Sequence, residues 1–264
     1  MRRIAPLVLV LIAFPAEAQN LFPRFSVTGG SYFSRFSTDV RADSGTLQGT
    51  QVNAERDLGL EPSKHLQRFT LEWRPFEHHE IEASYFSSSR SGFRQISTSI
   101  VFNGQEYPAQ ASVTTDFALK YWDATYTGWV HRSERSGFGL SVGVARIAVD
   151  ARLLAHRPTE TLSITEQATT NVPMAMIGTQ ARFALASRIF ADGRVAALPR
   201  VRIDVYSGRA LMANARLEYR FVRNIGVGAG YNYSRISGTV KDPRLAGSLA
   251  MTIDGAEGYV RLAF

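Results

Sequence analysis

The chain has 264 residues, no cysteine and a formal charge of +7. Hydrophobic residues make up 45% and aromatics 11%, and the mean hydropathy of −0.11 is that of an ordinary water-soluble domain. Without cysteine there are no disulfides, no thiol chemistry, no Fe–S clusters and no cysteine-type zinc sites, so the fold must rest on a large core or on a membrane.

The first twenty residues, "MRRIAPLVLVLIAFPAEAQN", have the three parts of a secretory signal peptide. Arg2 and Arg3 form a charged start, Ile4 to Phe14 an apolar stretch, and Ala16-Glu17-Ala18 a small-residue cleavage site. The apolar stretch is well short of the ~20 residues of a spanning helix. Residues 1–18 are therefore expected to be removed, leaving an exported chain of 19–264 with a charge of +7 − 2 + 1 = +6. No cysteine follows the site, so no lipoprotein anchor is expected. Mean hydropathy does not separate a soluble protein from a membrane β-barrel, whose lumen-facing and lipid-facing residues average out. Periodicity does.

Taken in chain order, the first strand is predicted over 24–42. The polar stretch 43–64 follows, and its "TLQGTQVNAERDLGL" has room for an extra hairpin. The second strand, 65–75, sets Phe69, Leu71 and Trp73 against Arg68, Thr70, Glu72 and Arg74. A short turn, "PFEHH", leads to a third strand over 79–101, and a polar stretch at 102–112 to a fourth over 112–130. After "HRSERSG" come the fifth strand, 137–156, a polar stretch at 157–171, and the sixth strand, 172–187. The seventh, 193–206, sets Val195, Ala197, Pro199, Val201, Ile203 and Val205 against Arg194, Arg200, Arg202 and Asp204. Pro199 lacks a ladder donor, so a local bulge is expected there. A short "YSGR" connection leads to the eighth strand, 209–222, with Arg216, Glu218 and Arg220 on one face. The ninth, 224–239, carries "GVGAG", whose glycines make room for large side chains opposite. The polar stretch 240–249 precedes the tenth strand, 250–264.

Long period-2 runs with no sustained helical period, joined alternately by short turns and longer loops, predict an all-β fold. The expected architecture is an antiparallel transmembrane β-barrel of about ten strands, with eight or twelve also compatible. In a membrane every backbone polar group must find a partner within the protein, and a closed barrel leaves no edge unpaired. Tyr85, Trp73, Trp122, Tyr126, Tyr219, Phe221, Tyr231 and Tyr233 fall where interfacial aromatic girdles are expected. In the last strand Ala256, Gly258, Val260, Leu262 and Phe264 share one face, and Glu257, Tyr259 and Arg261 the other.

The segments "GTQVNAERDLGL", "RFTLEWRP", "IEASYFSSSRSG", "LEYRFVRNIGVGAGYNYS" and the closing "GYVRLAF" together resemble the small outer-membrane β-barrel proteins of proteobacteria, distantly those of the OmpW and OmpA-barrel types. The resemblance spans the mature chain. It implies integral residence in a Gram-negative outer membrane, among outer-membrane lipid and lipopolysaccharide. It also implies delivery by periplasmic chaperones and a C-terminal signal, here Tyr259, Val260, Leu262 and Phe264, read by the barrel-assembly machinery through strand addition. Membership of this class leaves function open, since such barrels serve as channels, adhesins, enzymes and structural proteins.

By parity the lumen should hold Arg68, Arg74, Arg90, Arg182, Arg194, Arg200, Arg202, Arg216, Arg220 and Arg261, opposed by Glu72, Glu82, Asp123, Asp204, Glu218 and Glu257. One reading is structural: a lumen of this size is filled by side chains, and ion pairs plug it. The other is a narrow, water-filled path whose arginines favour small polar or anionic solutes. A third possibility is an interaction or adhesion protein, in which a plugged barrel displays loops 43–64 and 157–171. His156 lies near Thr159, Glu160, Thr161 and Ser163, which invites comparison with lipid A-modifying hydrolases, but no family motif surrounds it. His78 and His79 are neighbours on a strand end and point to opposite faces, so a metal site is not expected. "GVGAG" lacks the Lys-Ser/Thr and helix of a phosphate loop. Arginines that alternate through strands do not form a nucleic-acid patch. The expectation is a non-enzymatic, porin-like or structural barrel with no cofactor and no nucleic-acid partner.

Overall fold

A strand with one apolar and one mixed face still presents unpaired N–H and C=O groups along both edges, so each strand here requires a neighbour on either side. The computed structural model describes residues 20–44, 48–102, 104–156, 163–203, 206–241 and 246–264, and the expected signal peptide lies outside them. The elements are β1 (Phe25–Asp43), β2 (Val52–Asn53), α1 (Ala54–Asp57), β3 (Ser63–Phe76), β4 (His79–Gln95), β5 (Ile100–Phe102), β6 (Gln105–Tyr107), β7 (Ser112–Arg132), β8 (Ser136–His156), β9 (Ser163–Ala186), β10 (Ile189–Ile203), β11 (Tyr206–Val222), β12 (Ile225–Lys241) and β13 (Ala246–Ala263).

Among the described residues, ten long strands pair antiparallel in chain order, and β13 returns to β1 to close the ring. β2 is a short addition at the outer end of β1, and β5–β6 is a separate hairpin. The register gives the barrel its shape. Starting from Phe25, direct partners run through Trp73, Ile81, Tyr126, Val142, Ile177, Ala197, Leu211, Arg235 and Thr252, and return to β1 at Ser37. The shear is therefore 37 − 25 = 12 residues over ten strands. With ordinary strand rise and spacing, that tilts the strands by about 40°. All ten residues on this line face outward.

The outer wall carries a continuous apolar band. Trp73, Leu71, Tyr85, Trp122, Val142, Val144, Leu217, Tyr231, Val260 and Leu262 are exposed there, as a lipid-facing surface requires. Of the expected girdle aromatics, Tyr219 and Tyr233 are half-buried and the other six exposed. No helix of the described residues is long and apolar enough to cross a membrane. Crossing is by strands.

Three loop expectations change. The 43–64 stretch is not a solvated loop or a free hairpin. β2 pairs with β1, and α1 with the following turn drives Ala54, Leu58 and Leu60 into the outer end of the barrel, where they are buried. The apolar residues of "ERDLGL" thus face inward, which is how a short segment over a barrel mouth removes them from water. Most of 157–171 is strand: β9 begins at Ser163 and stays paired with β8 from His156↔Ser163 onward. Its Thr-rich alternation suits a strand continuing beyond the lipid. Part of 240–249 is likewise strand, in β12 and β13.

Candidate functional site

The lumen is the place where the chain concentrates charge, and it is filled in layers. At the periplasmic end, the stretch before β1 folds back into the mouth. Leu21 and Phe22 bury with Trp129 and Phe190. Arg74 donates from Nη2 to the Phe22 carbonyl (2.6 Å), and Arg220 from Nη1 to the Asn20 carbonyl (2.6 Å). The Arg132 guanidinium lies 4.9 Å from the Phe22 ring centroid. An open concavity of about 790 Å³ remains beneath this strap, between it and the turns around His78 and Arg132.

The first charged layer lies above the strap. Arg182 grips Glu80 with both terminal nitrogens (2.9 and 2.7 Å) and reaches Glu72 at 3.2 Å. Arg261 donates to Glu72 at 2.6 Å and stands 3.5 Å from Glu218, which Arg220 holds at 2.6 Å. One strand-turn higher, Arg194 binds Glu82 at 2.7 Å and stands 3.5 Å from Asp123, whose carboxylate also accepts from Ser84. Arg216 meets Glu257 at 3.0 Å, and Arg68 lies 3.7 Å from Glu257 while donating to Asn232 at 2.8 Å. Each of these arginines thus has a carboxylate within ion-pair distance.

Glycines opposite make room for this layer. A methyl group at Gly228 would overlap the Tyr259 ring, and one at Gly230 would stand 2.9 Å from Arg216 Cγ. The inner face of "GVGAG" is therefore a recess for large side chains, as its small residues imply.

Toward the outer end the lumen turns apolar. Tyr32, Phe86, Tyr121, Phe36, Phe117, Leu119, Ile147, Met176, Ile236 and Met251 form one continuous core. Arg90 is threaded through it, fully buried, and carries the contact to the cap. It donates to Glu55 Oε1 at 2.7 Å, to the Glu61 carbonyl at 3.1 Å and to Thr38 Oγ1 at 3.2 Å, with the Phe36 ring centroid 4.0 Å from its guanidinium. Glu55 in turn accepts from the Thr38 backbone at 2.7 Å. In α1, Asn53 accepts from the Arg56 N–H and Asp57 from the Asn53 N–H. The Arg56 guanidinium hydrogen bond holds the Asp57 carboxyl below its ordinary range.

Between the charged and apolar layers lies a void of about 40 Å³, bordered by Tyr32, Arg68, Tyr121, Arg194 and Met212. A second, near Arg182 and Glu218, measures about 10 Å³. At about 10–15 Å³ per water molecule, the first has room for about three and the second for at most one. They do not amount to a path.

Of the residues that parity places in the lumen, Arg90, Arg182, Arg194, Arg216, Arg220, Arg261, Glu72, Glu82, Glu218, Glu257 and Asp123 are buried there, and Arg68 and Arg74 are half-buried. Arg200 and Arg202 are not among them. The register of β10 against β11 shifts between Leu198 and Val201, at the bulge expected from Pro199. The extra residue reverses the in–out order, leaving both arginines exposed on the outer wall. Asp204 lies outside the described residues. Glu80, absent from the expected network, is buried and holds Arg182; it shares parity with Glu82 and was legible by the same rule. Glu55 reaches in from the cap, which no strand parity reveals.

Tyr259 faces the lumen, while Val260, Leu262 and Phe264 face out. Phe264 exchanges backbone hydrogen bonds with Phe25 at 2.8 and 3.1 Å. The histidines are dispersed: His78 contacts the Trp129 carbonyl, His79 the Tyr126 hydroxyl, His131 the Ser136 hydroxyl, and the His65 and Phe33 rings meet edge to face. The side chains of the His156, Thr159, Glu160, Thr161 and Ser163 group lie outside the described residues.

No protein-family model matches the sequence, and no curated protein matches it. Among solved structures, the outer-membrane protease OmpT from Escherichia coli is similar over 90% of this chain and 97% of that one, with a TM-score of 0.57 and 11% identity. The translocator domain of the autotransporter NalP from Neisseria meningitidis has a TM-score of 0.42 at 11% identity, covering 92% of this chain and 89% of that one. Ail, the attachment invasion locus protein of Yersinia pestis, has a TM-score of 0.32 at 11% identity, covering 89% and 97%. The OmpT likeness shows the fold alone. With the apolar band and the closed ring, it gives the chain the fold of an outer-membrane β-barrel.

Proposed function

We propose that the protein is a non-enzymatic, plugged barrel whose task is carried by the surface it presents at the outer end of the barrel. The reading rests on one observation: the lumen is closed at three levels, by the Asn20–Arg24 strap, by the paired arginine and carboxylate layer, and by the apolar core under the cap. An anion path needs a wall of uncompensated positive charge bathed by water. Here each arginine of the charged layer meets a carboxylate, and the voids hold only a few waters. Passage of small polar or anionic solutes is therefore the weaker reading. The cap, tied down through Arg90, and the β5–β6 hairpin beside it supply an ordered outer surface of the kind that recognition uses. β13, with its outward Val260, Leu262 and Phe264, would guide insertion by strand addition to the assembly machinery.

The test is the conductance of the refolded barrel in planar bilayers under a salt gradient. Full insertion without current is expected. Steady anion-selective steps from the unaltered protein would overturn the reading in favour of a channel.

A further inference from the structure

The outer wall carries a row of arginines that neither the lumen network nor the cap uses. Arg202 on β10, Arg209 on β11 and Arg235 on β12 all face outward and are exposed. Their direct cross-strand partners are Ser207, Ser237 and Thr252 respectively. Each arginine therefore stands two residues from the partner of the one before it, a diagonal spacing of about 7–8 Å.

The shear makes this row nearly level. A step from β10 toward β13 climbs 12/10 = 1.2 residues along the line of direct partners. Each arginine is two residues lower than the partner it replaces, so the row drops by less than one residue per strand, about 2 Å along the barrel axis. Immediately beneath it, toward the periplasm, lie Leu211, Tyr231 and Tyr233, the upper edge of the apolar band. The row thus sits at headgroup height.

It is also unbalanced. Among the described residues, the outward positions of β10, β11 and β12 above the band hold no carboxylate. On β13 the next position of the row is Asp254, already committed to Arg35 (2.9 Å) and to the Tyr231 hydroxyl (2.5 Å). The opposite flank differs, since Arg152 on β8 has Asp150 3.7 Å away and Asp116 as its cross-strand partner. Arg209 Nε donates to Ser237 Oγ at 3.1 Å, which holds that guanidinium across the strand pair.

Guanidinium groups recognise phosphate through paired N–H donors, and a level row with aliphatic and aromatic side chains below it fits an amphiphile with several anionic groups in its head. We propose that the β10–β12 wall binds lipopolysaccharide of the outer leaflet, with Arg202, Arg209 and Arg235 on the lipid A phosphates and the acyl chains along Leu211 and Tyr231. This does not depend on whether the lumen conducts.

The experiment titrates the refolded full chain in detergent micelles with bis-phosphorylated lipid A, with lipid A stripped of its phosphates, and with phosphatidylglycerol, and reads bound lipid by native mass spectrometry. Bis-phosphorylated lipid A should bind the unaltered protein, and the other two far more weakly. R209Q/R235Q should lose about tenfold or more of that affinity. R209K/R235K should retain part of it, and R152Q all of it. Only protein showing the heat-modifiable mobility of a folded barrel is compared, so misfolding cannot imitate lost binding. Equal binding of the phosphate-free lipid, equal binding of phosphatidylglycerol, or undiminished binding by R209Q/R235Q would each overturn the proposal.

Discussion

Arg182 is the sharpest test of the charged layer. Its side chain is 4% exposed, and it makes three hydrogen bonds, two to Glu80 and one to Glu72. The two carboxylates differ in what remains without it. Glu72 keeps Arg261 at 2.6 Å, whereas Arg182 is the cation that grips Glu80. Arg182→Met preserves length and the contact with Trp129, whose ring lies 5.0 Å from the guanidinium, but strands a buried carboxylate. Breaking a buried pair in this way costs about 3–5 kcal/mol. Adding Glu80→Gln removes the stranded charge, so the double variant should return to within about 2 kcal/mol of the unaltered protein, because a buried pair replaced whole is often near neutral. The measurement is urea unfolding in lipid vesicles, followed through tryptophan fluorescence, for both single variants and the double. The layer as described requires strong non-additivity between the two sites. If R182M alone were within about 1 kcal/mol of the unaltered protein, or if the single losses simply summed, Arg182 and Glu80 would not be a desolvated pair, and the plug would lose its main support.

Two further outcomes follow from the cap. Arg90→Lys keeps the charge but loses the planar fork that reaches Glu55, the Glu61 carbonyl and Thr38 together. Amide exchange over 52–60 should then quicken by the equivalent of about 1–3 kcal/mol while the strands below keep their protection; unchanged exchange would show that the cap is held by its apolar residues alone. The second concerns pH. Because Arg56 favours the ionised carboxylate and lowers the folded-state pKa of Asp57, the Asp57 contribution is fully present above the ordinary carboxylate value and is lost as pH falls through the lower folded value. Exchange in the cap should therefore accelerate below about pH 4. Asp57→Asn should abolish that part of the acid response, and an identical acid profile in the variant would refute the assignment.

Much of the lumen was legible because strand geometry is strict. With a period of two, Arg194, Arg216 and Glu218 can only face the same side as their neighbours two residues away, whatever the rest of the chain does. The rule fails where one residue is added. Pro199 announces a bulge, yet the direction in which Arg200 and Arg202 emerge depends on how β10 re-pairs with β11. Glu55, Leu58 and Leu60 were illegible for another reason. Four helical residues and a turn show no periodicity long enough to declare a face, and their burial is set by the barrel mouth beneath them.

By itself, then, the sequence determined strand class and which side of each regular strand carries charge, since these depend only on local pattern and on the pairing every backbone needs in lipid. Tertiary structure alone decided the shear of 12, the level row of outward arginines and the closure of the lumen from both ends. Those depend on register around a closed ring and on contacts between residues such as Arg90 and Glu55 or Arg220 and Asn20, whose meeting no local pattern encodes.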